Sequence, residues 1–266
     1  MTIIVGILCN DGCIVASDGM ASNNLGTTPF VGIQNTKIHK IENELIMSCA
    51  GDDNLMTLFL NFLEKNYKKL KQEGGFTCPI ELATAIGSQF SHQVLSVYGQ
   101  YPQLFQEHYV DNIKKLPGLS FGAIIAFEFQ GKHCMFGYDG FLNPSKIREN
   151  GIWYSIIGSG ALVAKPSIHL VKKILKIEKQ PNVNQGSILA YWTISHAIEV
   201  SSGGIGGDIS LFSLAKSQKN NSEDEYIINE GKTDECQTVI KEMYDYIWKY
   251  PSADSSEIKE IPKINN

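Results

Sequence analysis

The order of elements along the 266-residue chain predicts an α+β fold. Two hairpin-rich antiparallel sheets pack face to face with a helix pair on each outer side, a four-layer α/β/β/α sandwich. Three observations carry this expectation. Strands come in runs and helices in pairs (strands, two helices, strands, two helices, strand), unlike the one-for-one alternation of a doubly wound parallel sheet. The strands are short, apolar and β-branched, and tight polar turns join them as hairpins require. Hydrophobic residues make up 43% of the chain and charged residues 19%, which suits a packed core and argues against disorder.

Each element has its own signal. Residues 2–9, rich in Ile and Val, and residues 13–17 flank Asn10-Asp11-Gly12, a hairpin turn. A loop of Gly, Asn, Thr and Pro follows over 19–32. Strands at 36–41 and 44–50 are joined by Glu42-Asn43; Gly51 closes the second, and Asp52 reads as the cap of a helix. Along that helix Leu55, Leu58, Phe59, Phe62, Leu63 and Leu70 recur at helical spacing, with lysines at its C-terminal end. Gly74-Gly75 breaks it, and Pro79 sits in the first turn of a second helix reaching about residue 98. Residues 99–118 give no clear element. A hairpin spans 119–129 and 133–138, and a strand at 152–157 is closed by Gly158-Ser159-Gly160. Helices over about 162–177 and 187–200 precede a glycine run at 203–207 and a strand at 208–214. Residues 233–250 form an amphipathic helix with Cys236, Val239, Ile240, Met243, Tyr244 and Ile247 on one face, and a loose tail follows.

Composition narrows the function. The net charge is −5, Arg148 is the only arginine, and no basic stripe offers a phosphate-neutralising surface, so a nucleic-acid partner is not expected. No apolar run reaches the roughly 18–20 residues of a membrane span, and the N-terminal sequence lacks the basic region of a secretory signal. Six cysteines without zinc-type spacing read as reduced thiols of a cytoplasmic protein; Cys9 and Cys13 flank a turn. The histidines form no HxxxH or HExxH pair, so no metal site is expected.

Thr2 directly follows the initiator methionine. Threonine is small, so that methionine is commonly removed, and a free N-terminal threonine carries its own nucleophile and base. The amine titrates near ~7.7–8, close to operating pH. A Met-Thr start alone is commonplace, and a strand beginning there is the simpler account. Its company changes the reading. The pieces TIIVGILCNDGCIVASDGMAS, NTKIHKI, SCAGDD, GSGA and EVSSGG, in that order, resemble the proteasome beta-subunit family of N-terminal nucleophile (Ntn) hydrolases, bacterial proteasome-like peptidases included, over about residues 2–214.

The resemblance implies roles. Thr2 matches the nucleophile, Asp18 the acid that holds a catalytic lysine, Lys37 that lysine, and Gly51 the glycine whose N–H stabilises the oxyanion. Glu199 and Ser202 match the acid and serine beside the threonine amine. Most beta subunits place a serine directly after Gly-Ser-Gly, where this chain has Ala161; Ser159, inside the triplet, could substitute. His39, Cys49 and Asp53 fall where pocket-lining positions lie, and the acid at Asp53 points to basic substrate side chains. Taken singly, Asp18 reads as a turn acid, Lys37 as a surface lysine, Gly51 as a strand terminator, and Gly158, Gly160, Gly203 and Gly204 as turn glycines.

The implied activity is a threonine-type endopeptidase or amide hydrolase with no cofactor, acting on a peptide or protein. The implied assembly is a homo-oligomer, with an ATPase partner left open. Ala161, and Glu199 in place of the usual shorter aspartate, keep open a catalytically silent proteasome-like structural subunit. A non-proteolytic Ntn amidohydrolase is a third reading. Residues 1–215 form the hydrolase domain in this reading, and 216–266 a C-terminal extension with one amphipathic helix and a loose tail.

Overall fold

A computed structural model describes residues 2–21, 33–34, 36–98, 121–147, 151–201, 205–216 and 226–249. The chain opens with the expected hairpin, β1 (Ile4–Leu8) and β2 (Gly12–Ser17), in register from Ile4–Ser17 to Leu8–Cys13. Two-residue strands β3 (Met20–Ala21) and β4 (Ile33–Gln34) then pair at the ends of the stretch read as a loop. Next come β5 (Ile38–Ile41), β6 (Leu45–Gly51), α1 (Asp53–Glu73) and α2 (Pro79–Tyr98). The second half holds β7 (Phe121–Phe129), β8 (Lys132–Tyr138), β9 (Pro144–Lys146), β10 (Tyr154–Ile157), α3 (Ala161–Ile174), α4 (Val183–Val200), β11 (Ser210–Lys216), β12 (Tyr226–Glu230) and α5 (Thr233–Lys249).

Two five-stranded antiparallel sheets form the middle layers, in the orders β10-β1-β2-β11-β12 and β5-β6-β7-β8-β9. Side-chain alternation places the layers. Along β6, Leu45, Met47 and Cys49 pack with Phe59, Leu63 and Phe90 of α1 and α2, whereas Ile46 and Ala50 face the other sheet. In β7, Ile125 and Phe127 face the helices and Ile124 and Ala126 the second sheet. Strands buried on both faces read as unbroken apolar runs, which is why the sequence shows so little period-2 alternation. On the opposite side α4 covers β1 and β2, and α3 packs beside it against β10, with Ala164, Ile168, Leu189 and Ala190 in the shared core.

Several boundaries differ from the sequence reading for identifiable reasons. The apolar pattern places the start of α4 at 187, but its cap lies earlier. Asn182 accepts from the Gln185 N–H at 2.8 Å, and Gln185 returns the bond to the Asn182 N–H at 3.2 Å, a capping box. Asp11, 172 residues away at the β1–β2 turn, accepts from the Val183 N–H at 2.8 Å. Strand β10 starts at Tyr154, two residues later than expected, and α3 at Ala161, one residue earlier. Strands β9 and β12 are absent from the sequence reading. Both are short edge strands of mixed polarity, with little apolar pattern to reveal them.

The C-terminal helix α5 packs on its own chain: Cys236, Ile240 and Met243 are buried, and the Trp192 indole N–H donates to Tyr244 at 3.1 Å. The side chain of Ile247 and the tail from 251 lie outside the described residues. Five of the six cysteines are buried and Cys78 is half-buried. Replacing the α4 cap, Asn182→Ala, should cost about 1 kcal/mol of folding stability, read as a lower urea midpoint with an unchanged slope.

Candidate functional site

The site lies where the first residues of the chain meet the ends of β2 and β10 and the start of β5. Thr2 is held by backbone on both sides. Its carbonyl accepts from the Gly160 N–H at 3.0 Å, and its own N–H donates to Ser159 Oγ at 3.1 Å. Gly158 adopts φ 95°, and a Cβ there would collide with the Thr2 carbonyl, so this turn requires glycine. The Gly-Ser-Gly triplet is therefore a seat for Thr2.

One residue on, the Ile3 carbonyl accepts from the Asp18 N–H at 3.2 Å and the Ile3 N–H donates to Asp18 Oδ1 at 2.8 Å. Asp18 is 0% exposed. The same Oδ1 receives Lys37 Nζ at 2.7 Å, and the Gly206 N–H faces Oδ2 at 3.5 Å. A carboxylate this deep is tolerated only with such a counter-charge and donors. Asp18 and Lys37 are thus a buried ion pair, and the turn-acid and surface-lysine readings do not hold.

Lys37 is itself buried. Removal from water pulls its ammonium below the ordinary lysine value, while the charge of Asp18 and the hydrogen bond to it push back. The Lys37 carbonyl accepts from Ser48 Oγ at 2.7 Å, and Ser48 is 0% exposed. The sequence reading did not select Ser48, Gly206 or the Ile3 N–H. Ser48 left a signal, being the one hydroxyl in a strand buried almost throughout, because a buried hydroxyl needs a partner. Ser17, Asp18, Lys37 and Ser48 concentrate buried polar groups at this end of the sheets, whereas Ser167 and Thr193 turn back on carbonyls of their own helices.

The remaining candidates occupy varied settings. Gly51 ends β6 with φ 128° and is exposed. Asp52 is the N-cap of α1, accepting from the Asn54 and Leu55 N–H groups at 2.9 and 3.1 Å, and Asp53 is exposed in the first turn. His39 is half-buried opposite Met47. Burial holds its imidazole below the usual value, and the charge of Glu64 opposes that. Cys49 is buried between β6 and α1, which pushes its thiol well up. Glu199 is exposed in the last turn of α4, and its carboxylate has no hydrogen bond or ion pair among the described residues. Ser202 and the glycines at 203 and 204 lie outside the described residues. Among the described residues no cluster of His, Cys, Asp and Glu could hold a metal ion, and no helix is long and apolar enough to cross a membrane.

A family model described as Proteasome subunit matches residues 2–105, the stretch that carries Thr2, Asp18, Lys37 and Gly51. Over that stretch the chain is similar to proteasome subunits. Among solved structures it is similar to the Anbu (Gly-1) mutant from Hyphomicrobium sp. strain MC1, at 13% identity and a TM-score of 0.64, covering 98% of this chain and 99% of that one. That likeness is one of fold, shared over the whole layered arrangement. No curated protein matches the chain.

Two substitutions separate the roles of the buried polar groups. Lys37→Ala leaves Asp18 without its counter-charge and should cost about 3–5 kcal/mol in urea unfolding. Ser17 Oγ has no hydrogen-bond partner among the described residues. Ser17→Ala in the same assay should therefore be neutral or mildly stabilising, by up to about 1 kcal/mol.

Proposed function

We propose that the chain is an N-terminal threonine hydrolase, most simply a proteasome-like endopeptidase, with Thr2 as nucleophile once Met1 is removed. The observation that carries this reading is the buried Lys37–Asp18 pair, whose carboxylate also grips the Ile3 N–H next to Thr2. A scaffold needs no such pair, since apolar side chains of similar volume would serve stability as well or better.

In the proposed reaction the freed Thr2 amine takes the hydroxyl proton, directly or through one water, as Oγ attacks the substrate carbonyl carbon. The Gly51 N–H stabilises the resulting oxyanion. The amine then gives the proton to the leaving nitrogen, the C–N bond breaks, and an ester links Thr2 to the acyl half. Water hydrolyses the ester by the same route in reverse. Lys37 lowers the cost of developing negative charge on the Thr2 hydroxyl, and Asp18 fixes its position. Ser159, with Glu199 and Ser202, orients the amine in this scheme. His39 and Asp53 face the substrate side chain in this scheme, Asp53 favouring basic ones, whereas Cys49 is buried on the helix side of β6. Peptides or proteins are the proposed substrates, in a cytoplasmic homo-oligomer, with or without an ATPase partner.

A silent structural subunit is the second reading. Ala161, and Glu199 where the resemblance expects a shorter aspartate, favour it.

Intact mass of the cellular protein should be lower than the full chain by one methionine residue; retention of Met1 overturns the threonine mechanism. An epoxyketone probe should add to the mature protein and not to Thr2→Ala, which should also lose peptide hydrolysis. Because the base is an amine that must be unprotonated, kcat/KM should rise with pH through about 7.7–8. Hydrolysis that survives Thr2→Ala overturns Thr2 as the nucleophile, whereas an absence of both adduct and hydrolysis after Met1 removal leaves the silent-subunit reading.

A further inference from the structure

We infer that Ser48 is a positioning residue for the proposed reaction, fixing the backbone from which Lys37 projects and tying it to the strand that ends in Gly51. This rests on the threonine-hydrolase reading.

Lys37 stands immediately before β5, and the first ladder pair of that strand is Ile38 with Ser48. The Lys37 carbonyl is thus at the frayed end of the strand. The Ser48 hydroxyl fills the missing donor's place at 2.7 Å, wholly out of water. That bond restrains the peptide plane following Lys37, and with it the direction in which the side chain leaves the backbone. The side chain has four methylenes and would otherwise hold many rotamers, yet its nitrogen must stay within 2.7 Å of Asp18 Oδ1. Ser48 is also three residues before Gly51 on β6. The hydroxyl therefore adds a side-chain tie to the β5–β6 ladder at the end where the ladder stops, between the strand bearing the lysine and the strand bearing the oxyanion N–H. Misplacement by about 1 Å is enough to lower rates by about 100-fold.

Nothing else on β6 performs this task. The neighbouring inward residues Ile46 and Ala50 are apolar, and Cys49 points to the helix side. Alanine at 48 would leave the carbonyl of Lys37 without its hydroxyl donor, and threonine would restore the donor.

The test compares wild type, Ser48→Ala, Ser48→Thr and Asn182→Ala. The last is a cap variant distant from the site that controls for lost stability. A fluorogenic peptide hydrolysed by wild type and not by Thr2→Ala supplies the activity readout. Ser48→Ala should lower kcat about 10- to 100-fold with KM nearly unchanged, Ser48→Thr should recover most of it, and Asn182→Ala should keep it. A second readout does not need turnover: the titration of Lys37, followed by NMR in protein labelled at the lysine ε-carbon and assigned with Lys37→Arg. In Ser48→Ala its midpoint should move up toward that of an ordinary lysine, as the side chain leaves its buried seat, and Ser48→Thr should reverse this. An unchanged kcat in Ser48→Ala, or a loss matched by Asn182→Ala, overturns the inference. If wild type shows no Thr2-dependent hydrolysis, the threonine-hydrolase reading fails; an unmoved Lys37 titration in Ser48→Ala then overturns the positioning role as well.

Discussion

The ion pair between Asp18 and Lys37 is the constraint around which this end of the molecule is organised. It joins the end of β2, in one sheet, to the start of β5, in the other. The space between the sheets is otherwise filled by Ile, Val, Ala and Met, which pack by shape and tolerate sliding far better than charges do. A charge pair does not. Its attraction offsets the loss of hydration only over a narrow range of distance, so it sets how the two sheets meet. The first residues of the chain are then aligned by the same carboxylate, because Ile3 gives its N–H to Asp18 and Thr2 is seated on Gly160 and Ser159.

This arrangement divides labour between layers. The layer between α1, α2 and the β5–β9 sheet carries large aromatics, with Phe59 in ring contact with Phe62, Phe90, Phe121 and Tyr138. Those contacts provide bulk stability and are remote in kind from the chemistry. The polar groups gather at the strand ends near Thr2, where backbone donors freed from the ladders can be aimed at a substrate. A site built from strand ends of both sheets is as rigid as the sandwich itself, the condition for holding a nucleophile and an oxyanion donor in fixed relation.

Much of this was legible in the residues. The hairpin at Asn10-Asp11-Gly12, the cap at Asp52 and the helical spacing from Leu55 to Leu70 are local signals, and each names its element. The Asp18–Lys37 pair was legible only as a resemblance. Nothing local distinguishes a buried aspartate after a strand from a turn aspartate, and burial is set by partners 15 residues away and farther. Strand β12 was lost because Tyr-Ile-Ile-Asn-Glu, short and half-polar, becomes a strand only by pairing with β11. Cys49 and His39 show another limit: spacing can give a residue's face, but not whether a helix covers that face.

The sheet order has a consequence for the order in which the molecule can come into being. Strand β1 is flanked by β2 and β10, and β2 by β1 and β11. The first strand synthesised therefore lacks its outer neighbour until residues 154–157 have been made, and its hairpin partner waits for residues 210–216. The seat of Thr2 belongs to the same late material, since Ser159 and Gly160 follow β10 directly. So distant a closure makes for high contact order and slow folding. It also means that a nascent chain carries its threonine at the front long before it carries a place to put it.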